Sequence, residues 1–392
     1  MTFLHEIDKS RPPTQRNMAS GGKRGKPRTL AVGVVGIGRI GRQHALNALH
    51  NVNRTELLCV CSPAPQDLEW ADEHLIPYGV NVYKTFEEMI AEPGLEAVII
   101  ASTTKFHHDQ VRECIKRGLS TLCEKPLSMT VAEARDIVEF SRKQENAHIK
   151  VMTAFSRRFD DSYLNAVKAI ESGKIGTPVV VRSETRDMFD DSPFYHRYVM
   201  GNPGIFIDTA VHDIDLTLAF LGNGLRPKSC HAIGNIARHH KLAEIADVDN
   251  ATGCVEWYPP SPGAVAPISY YFFSRIMHHG FDNPTEIIGT EGMLKINLHP
   301  HRDLITTGDK NGIGNDVMPD FYERYEKAFV TELRVFADAV LDNKSLPYEL
   351  DVAVKGMEIA AALQESLRTG KKIEWDETGN RKTPTENLKS HI

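Results

Sequence analysis

Residues 30–41 read LAVGVVGIGRIG, and this stretch decides the fold of the first part of the chain. Its first six residues form an apolar run with the length of a buried strand, and glycines then follow with the spacing G-x-G-x-x-G. Gly36 permits a tight turn, Gly38 lets the backbone approach a pyrophosphate, and Gly41 allows close packing of the helix that begins there. The N-terminus of that helix offers free N–H groups to phosphates. The stretch therefore predicts a Rossmann domain that binds a dinucleotide.

The rest of the chain predicts an α/β fold with two domains. Apolar runs that alternate with helix-like segments continue to about residue 150, which indicates a parallel, doubly wound sheet. In one of these segments, Thr130 and Glu133 have the spacing of a capping box. Later runs alternate in the manner of antiparallel strands and are followed by two long helical patterns. The expected organisation is a disordered basic arm (1–30), a Rossmann domain (31–150), an α+β domain (151–375) and a polar tail (376–392).

Composition excludes several classes of protein. The 392 residues are 41% hydrophobic and 25% charged, which is typical of a globular protein with a sizeable core. A net charge of −6 lacks the basic excess of a nucleic-acid binder, and no apolar stretch approaches the roughly 18 residues of a membrane span. In the arm, seven basic residues face Glu6 and Asp8, and these acids together with Pro12-Pro13 disfavour the amphipathic helix of a mitochondrial presequence. We therefore expect a cytoplasmic protein without nucleic-acid or membrane partners.

Cysteines and histidines give no sign of a disulfide framework or of a metal site. The six cysteines are sparse, and Cys59 and Cys61 lie in an apolar run that predicts buried side chains in a reducing compartment. Adjacent histidines occur at positions 107–108, 239–240 and 278–279, but a histidine pair does not by itself form a metal site. We therefore expect no metal.

The position that would contact the adenosine ribose is occupied by Ser62. The dinucleotide fingerprint places an acidic residue about 20 residues after the glycines, and Ser62 stands there instead. Serine does not repel a 2′-phosphate, but no arginine follows it to bind one. Asp67 or Glu69 offers a carboxylate nearby, so the cofactor stays open between NAD and NADP.

Two further motifs carry candidate chemistry. Glu124-Lys125-Pro126 follows a strand candidate, and Asp208-x-x-x-His212-Asp213-x-Asp215 opens a helical pattern. Asp208 and His212 are four residues apart and share a helix face, and an imidazole with its ordinary pKa near 6.5 suits proton exchange with an alcohol. Taken singly, Asp208 and His212 also fit a capped helix start, and Lys125 also fits a charged surface residue after a strand. Their presence beside a dinucleotide motif favours catalysis, because hydride transfer needs a proton acceptor.

With these three motifs, residues 31–372 resemble the Gfo/Idh/MocA family, named for glucose-fructose oxidoreductase and inositol dehydrogenase. The resemblance implies a Rossmann domain followed by a large, mostly antiparallel open sheet. The catalytic residues that it implies are Lys125, Asp208 and His212. The substrate-binding residues are these three together with Arg157 and Asp215. The cofactor-binding residues are Gly36, Ile37, Gly38, Arg39, Ile40, Gly41, Ser62, Ser102, Thr103, Thr104, His107, Glu124 and Lys125.

Two segments depart from the family pattern. Ser102-Thr103-Thr104 replaces the family's T-P-N, which bears on the cofactor contacts. Pro203-Gly204 replaces Gly-Gly before the catalytic helix, which bears on the substrate loop. Arg186, Asp187 and His196 precede that helix in the chain and are further candidates for contact with substrate hydroxyls.

The resemblance predicts an NAD(P)-dependent dehydrogenase of a cyclic polyol or sugar. The segment 157–160, Arg-Arg-Phe-Asp, favours inositol-like substrates. In this scheme His212 takes the hydroxyl proton, Asp208 orients His212 and Lys125 steadies the oxygen. Two alternatives share the fold: a non-catalytic dinucleotide sensor, which needs no proton-transfer groups, and an NAD-dependent glycosidase.

The assembly is expected to be a homodimer or homotetramer. Residues 268–273, Ile-Ser-Tyr-Tyr-Phe-Phe, carry aromatic side chains on both faces of a strand, which predicts that neither face meets bulk water. An open sheet would bury its free face against a second copy. Tyr271 and Phe272 are the residues expected to report on that face.

Overall fold

The computed structural model describes residues 28–382. Most of the predicted basic arm and the last ten residues of the predicted tail lie outside these described residues. The described start of the tail is ordered by a turn that brings Arg381 back to pair with Trp375.

Six parallel strands form the first sheet. They are β1 (Leu30–Val35), β2 (Thr55–Cys61), β3 (Asn81–Tyr83), β4 (Ala97–Ile100), β5 (Ser120–Glu124) and β6 (Val151–Ala154). The helices between them are α1 (Arg39–Leu46), α2 (Pro65–His74), α3 (Phe86–Met89), α4 (His107–Lys116) and α5 (Val131–Ser141). The strand order β3-β2-β1-β4-β5-β6 is that of a doubly wound fold, so the predicted Rossmann architecture is confirmed. The chain reverses direction across the sheet between β1 and β4, where such folds bind their ligands.

Local sequence signals act in this domain as expected. Thr130 accepts the backbone N–H of Glu133, and the Glu133 carboxylate accepts the N–H of Thr130, which completes the capping box of α5. Cys59 and Cys61 are buried, and burial raises the pKa of each thiol to about 12. Both cysteines are therefore unreactive core residues.

The second sheet has seven strands and is mostly antiparallel. Its strands are β7 (Pro178–Met188), β8 (Pro227–Asn235), β9 (Asn250–Trp257), β10 (Ile268–Met277), β11 (Thr285–Gly289), β12 (Met293–Ile296) and, after a separate hairpin of β13 (Thr306–Asp309) and β14 (Gly312–Asn315), β15 (Ile373–Glu374). The order is β12-β11-β7-β10-β9-β8-β15, and only the central pair β7 and β10 is parallel. This confirms the predicted mostly antiparallel sheet.

The second part of the chain contains the helices α6 (Asp161–Glu171), α7 (Pro193–Met200), α8 (Val211–Leu221), α9 (Phe321–Leu341) and α10 (Asp351–Thr369). α8 packs on β7 and α10 on β8 of the second sheet, whereas α9 contacts β1 and β5 of the first sheet. A π-helical turn, Phe206–Ala210, leads directly into α8. Within residues 28–382, no helix combines the length and the apolar character that crossing a bilayer requires.

The strand β10 separates the covered face of this sheet from the open one. Tyr271 and Phe273 point inward, where the Tyr271 hydroxyl donates a hydrogen bond of 3.0 Å to Thr217 on α8. Ile268 and Tyr270, on the opposite face, are 49% and 40% exposed. The expectation that Tyr271 reports on the open face was wrong, because alternate residues of a strand point to opposite faces and the helices of the same chain cover that of Tyr271.

Candidate active site

The glycine-rich loop after β1 has the geometry of a dinucleotide cradle. Gly36 has φ +82°, and a Cβ there would lie 2.6 Å from the Cα of Ser102. A Cβ on Gly41 would lie 1.9 Å from the carbonyl oxygen of Gly36, whereas one on Gly38 would meet nothing within 4 Å. Gly38 is also the N-cap of α1 and has no side-chain cap, so the first N–H groups of α1 stay available. The loop therefore fits a pyrophosphate beside Gly38.

The structure places the other residues predicted at the cofactor partly in the core and partly in loops. Ile37 is buried in the core, Ile40 packs against that core, and the Arg39 guanidinium lies 5.0 Å from the ring centroid of Phe321 on α9. Thr103 and Thr104 begin the short turn that leads into α4.

Ser102 and His107 connect two loops of the cradle. The Ser102 hydroxyl donates to Gln110, and the two ring nitrogens of His107 lie 2.9 Å from the carbonyl oxygens of Ser102 and Pro126. His107 is buried, so its place in the fold is that of a bridge between the loops after β4 and β5.

Asp67 supplies the carboxylate that the sequence lacks at residue 62. The Ser62 hydroxyl donates to Oδ2 of Asp67 over 2.7 Å, and Arg42 lies 3.0 Å from Oδ1 of the same carboxylate. Asp67 reaches this place because it lies in the first turn of α2, directly after β2. Glu69 is exposed and takes no part. Of the two acids that the sequence offered, the structure therefore places Asp67 at the expected ribose position.

Glu124 and Lys125 follow β5 at the carboxyl edge of the sheet. Oε1 of Glu124 lies 2.7 Å from Nε2 of the buried His44, and Oε2 accepts the backbone N–H of Lys125. The Lys125 ammonium donates to the backbone oxygen of Asp208 over 2.8 Å and lies 3.5 Å from its Oδ1. The E-K-P segment and the π-helical turn before α8 thus meet in space although 83 residues separate Lys125 from Asp208.

The Asp208 carboxylate is the centre of a polar cluster. Tyr198 donates to its Oδ1 over 2.9 Å, Asn202 donates to Oδ2 over 3.1 Å, and Arg275 lies 3.6 Å from Oδ2. Burial raises the pKa of Asp208, but Lys125 and Arg275 outweigh burial and leave that pKa below its ordinary value. Asp208 is therefore a fixed anion at neutral pH.

His212 is a neutral base. Burial, and then the positive charges of Lys125 and Arg157, place its pKa well below 6.5, so the expectation of a pKa near 6.5 was wrong. Its Nδ1 is buried without a hydrogen-bond partner among the described residues. Asp208 is hydrogen-bonded to Tyr198 and Asn202, so the structure joins it to Lys125 rather than to His212.

Arg157 and Asp215 belong to buried ion pairs. Arg157 lies 3.3 Å from Asp213 and also donates a hydrogen bond to Thr185. Arg158 donates two hydrogen bonds, of 2.7 and 2.8 Å, to the Asp215 carboxylate. Arg157 is 4% exposed and Asp215 is 1% exposed. The structure places both near the floor of the site, with their charged groups already satisfied by the protein.

Further polar residues lie around the cluster; Asp187 was a candidate from the sequence, whereas Arg275 and Tyr195 were not. Arg275 is buried at the end of β10, and the Tyr195 hydroxyl is buried without a partner among the described residues. Asp187 faces the cluster from β7, and burial, together with the Asp208 charge, raises its pKa. Arg186 points to the other face, toward Asp282 at 2.7 Å. A charged residue that ends an otherwise apolar strand was the signal for Arg275.

Comparison with known proteins identifies the chain. Residues 30–152 match the Gfo/Idh/MocA oxidoreductase family with its NAD-binding Rossmann fold, and residues 163–295 match the Gfo/Idh/MocA C-terminal domain. This chain belongs to the Gfo/Idh/MocA family. The expected oxidoreductase with an NAD-binding Rossmann domain is confirmed.

Relatives of this Gfo/Idh/MocA member include several proteins named as inositol dehydrogenases. The NAD-dependent scyllo-inositol 2-dehydrogenase of Bacillus subtilis is 30% identical over 345 residues, which cover 88% of this chain and 95% of that protein. A structure of scyllo-inositol dehydrogenase from Lactobacillus casei with bound NAD(H) and scyllo-inositol has a TM-score of 0.81 and 28% identity, and the match covers 88% of this chain and 99% of that one. The structure of myo-inositol 2-dehydrogenase from Lactobacillus plantarum has a TM-score of 0.82 and 26% identity over 89% of this chain and all of that one.

Proposed function

We propose that this chain oxidises one ring hydroxyl of an inositol, or of a closely related cyclic polyol, with NAD as the hydride acceptor. One observation carries the proposal: a neutral His212 and the Lys125 ammonium lie together at the carboxyl edge of the sheet that holds the dinucleotide cradle. A base and a cation at that edge suit the conversion of an alcohol to a carbonyl. The names of the relatives support inositol as the substrate class.

In this proposal each side chain has a defined task. NAD, when bound, accepts the hydride of the alcohol carbon. His212 accepts the hydroxyl proton at Nε2, and Lys125 stabilises the negative charge that develops on the oxygen. Asp208 holds the Lys125 ammonium in place through the contacts described above. Asp208 thus positions Lys125, a role that replaces the one expected from the sequence.

Asp67 supports NAD over NADP. A carboxylate at the ribose accepts hydrogen bonds from the two hydroxyls of NAD and repels the 2′-phosphate of NADP. Arg42, which otherwise offers a cation to that phosphate, is paired with Asp67.

Polar groups around Asp208 support a polyhydroxylated substrate. Tyr195, Arg275 and Asp187 surround the cluster. The buried hydroxyl of Tyr195, and the guanidinium nitrogen of Arg275 that lies 3.6 Å from Asp208, have no hydrogen-bond partner within residues 28–382. Buried polar atoms without partners cost about 1–3 kcal/mol each, and several hydroxyls on one ring would satisfy them together. We also propose that Arg157 and Asp215 act indirectly, by fixing the floor of this pocket.

The open face of the second sheet supports a homodimer or homotetramer. Ile268 and Tyr270 of β10 and Ile233 of β8 are exposed on that face, and Ile233 is 60% exposed. A second copy would cover this apolar surface under closed symmetry.

The cysteines support a reducing, cytoplasmic location. All six are free, and five are buried. Oxidising compartments favour disulfide pairing in secreted proteins, and this chain makes none.

The test is a screen of initial rates. Purified protein is mixed with myo-, scyllo- and chiro-inositol and with a panel of aldoses, each with NAD and with NADP, and the reduced nicotinamide is followed by absorbance. We expect an inositol with NAD to give the highest kcat/KM, and one reduced nicotinamide per oxidised ring. A glycosidase would return the cofactor to its oxidised form and release a hydrolysed sugar. Absence of cofactor reduction with every inositol would contradict the proposal.

A further inference from the structure

A second cluster of ligand-type side chains lies between α7 and the loop that follows β8. It consists of Asp191, which precedes α7, His196 on α7, and His239 at the start of a short 3₁₀ helix. One ligand atom from each residue lies within 4.8 Å of the other two, and Nε2 of His196 is 2.9 Å from Oδ1 of Asp191. Ligand atoms around one zinc ion are about 3–4 Å apart, so a small adjustment of these side chains brings all three to one ion.

The ring of His239 indicates that a partner is missing. It is 3% exposed, and both of its nitrogens are buried without a hydrogen-bond partner among the described residues. The rings of Phe189, Tyr195 and His196 surround it at centroid distances of 5.2, 5.0 and 5.7 Å. A buried polar ring without a partner destabilises the fold, and a cation bound at one nitrogen removes that cost.

The backbone presents His239 in a fixed position. The buried Asp249 carboxylate accepts the N–H groups of residues 237, 238 and 239 over 2.7–3.1 Å. One ligand is therefore preorganised, while Asp191 and His196 are partly exposed and leave an entry path.

We propose that Asp191, His196 and His239 bind one divalent cation of the zinc class, with water at the fourth position. Two imidazoles and one carboxylate form a donor set that suits zinc better than magnesium or calcium. No spacing motif predicts this site, because its two histidines come from different parts of the chain.

The cation would anchor α7 to the loop before β9. α7 also carries Tyr195 and Tyr198, and the Tyr198 hydroxyl donates to Asp208 in the candidate active site. The metal would therefore hold these two tyrosines beside the substrate pocket and would not take part in the reaction itself. This consequence, unlike metal binding, rests on the proposed function.

Metal content tests the site directly. Full-length protein, with any histidine tag removed, is stripped with a chelator, dialysed against zinc chloride and then against metal-free buffer, and its zinc is measured by mass spectrometry. We expect about one zinc per chain in the native protein and in a His240→Gln control, whose exposed histidine adjoins the site. We expect at least roughly a tenfold lower content in His239→Phe, which keeps a ring in the apolar pocket, and in Asp191→Asn.

Thermal unfolding separates binding at the site from binding elsewhere. Zinc should raise the Tm of the native protein and of His240→Gln but not that of Asp191→Asn. The Asp191 side chain is exposed, so its replacement leaves the core intact. Equal zinc content in the native protein, His239→Phe and Asp191→Asn would overturn the proposal, as would a native protein that retains no zinc. If zinc binds as expected but the inositol screen fails, the proposed function is lost and the metal site stands.

Discussion

At the scale of single residues, the proposed reaction depends on the charge state of His212. Burial and the nearby charges of Lys125 and Arg157 lower its pKa well below 6.5. An imidazole is a base only above its pKa, so His212 stays competent at neutral and mildly acidic pH. Lys125 has two effects, because the charge that would stabilise an oxyanion also keeps His212 deprotonated.

The pH profile tests this charge state. Since activity is lost only as the pH falls through the pKa of His212, kcat/KM should stay level from pH 8 to below pH 6.5. His212→Ala is the matched variant, and it should lower turnover by about two to four orders of magnitude while NAD binding remains. An acid limb centred at pH 6.5, or unchanged turnover in the variant, would remove His212 from the role of base.

Asp67 allows a test of cofactor choice. Asp67→Asn removes the carboxylate beside Ser62 and frees Arg42, so we expect kcat/KM with NADP to rise relative to NAD by about one to two orders of magnitude. Glu69→Gln removes an exposed charge two residues away on the same helix and is the control. The ratio of the two efficiencies measures the effect, and an equal ratio in native protein and Asp67→Asn would show that Asp67 is not at the ribose.

The sequence located the ribose position but not the side chain that fills it. Ser62 follows β2 directly, as the fingerprint requires, and the strand is recognisable from its apolar residues. Whether Asp67 or Glu69 turns toward Ser62 depends on where α2 begins, since a shift of one residue rotates each side chain by about 100°. The start of α2, and with it the direction of each side chain, is set by the packing of α2 on the sheet.

At the scale of elements, the turn between β1 and α1 provides a matched pair of variants. Gly38→Ala adds a methyl group that meets no protein atom within 4 Å, so the Tm should change by less than about 2 °C while NAD affinity falls at least roughly tenfold. Gly41→Ala places its methyl group 1.9 Å from a carbonyl oxygen, so both the Tm and NAD affinity should fall. Scanning calorimetry and cofactor titration distinguish the two, and unchanged NAD affinity in Gly38→Ala would place the pyrophosphate elsewhere.

Elements buried on both faces were predictable, and elements at the edge were not. β4 is a continuous apolar run, and the centre of β5, Leu122-Cys123, is apolar too, because both strands are buried inside the sheet; the pattern identifies them. β3 has three half-exposed or exposed residues and no such pattern. α7 mixes aromatic and polar residues without a clear apolar stripe, since one side of it packs on a polar cluster, so Tyr195 and Tyr198 gave no sign of their role.

At the scale of the whole molecule, the proposed assembly depends on the exposed face of the second sheet. Phe272→Lys places a charge on that face, which should dissociate the oligomer to the 43.8 kDa chain in light scattering at micromolar concentration. Ile76→Lys is the control, because Ile76 is 48% exposed in the Rossmann domain, away from the open sheet. A native protein that is monomeric at this concentration would exclude the proposed assembly.

The ion-pair partners of several site residues lie far away in the chain, so the sequence could not predict these pairings. The resemblance identified Arg157 and Asp215 as substrate-binding residues, but their charges meet Asp213 and Arg158, 56 and 57 residues away. Lys125, Asp208 and His212 were recognisable as a set, because the motifs around them are specific. The sequence did not show which of these three residues contact one another. The low pKa of His212 arises from burial, which only the folded domains create.

The most direct test follows the transferred hydrogen. The enzyme is mixed with NAD and with myo- or scyllo-inositol deuterated at every ring carbon, and the reduced nicotinamide is analysed by NMR. We expect one deuterium at C4 of each reduced nicotinamide, one oxidised inositol per reduced cofactor, and loss of both in His212→Ala. Reduced cofactor without deuterium, or no reduction with either inositol, would contradict the proposed reaction.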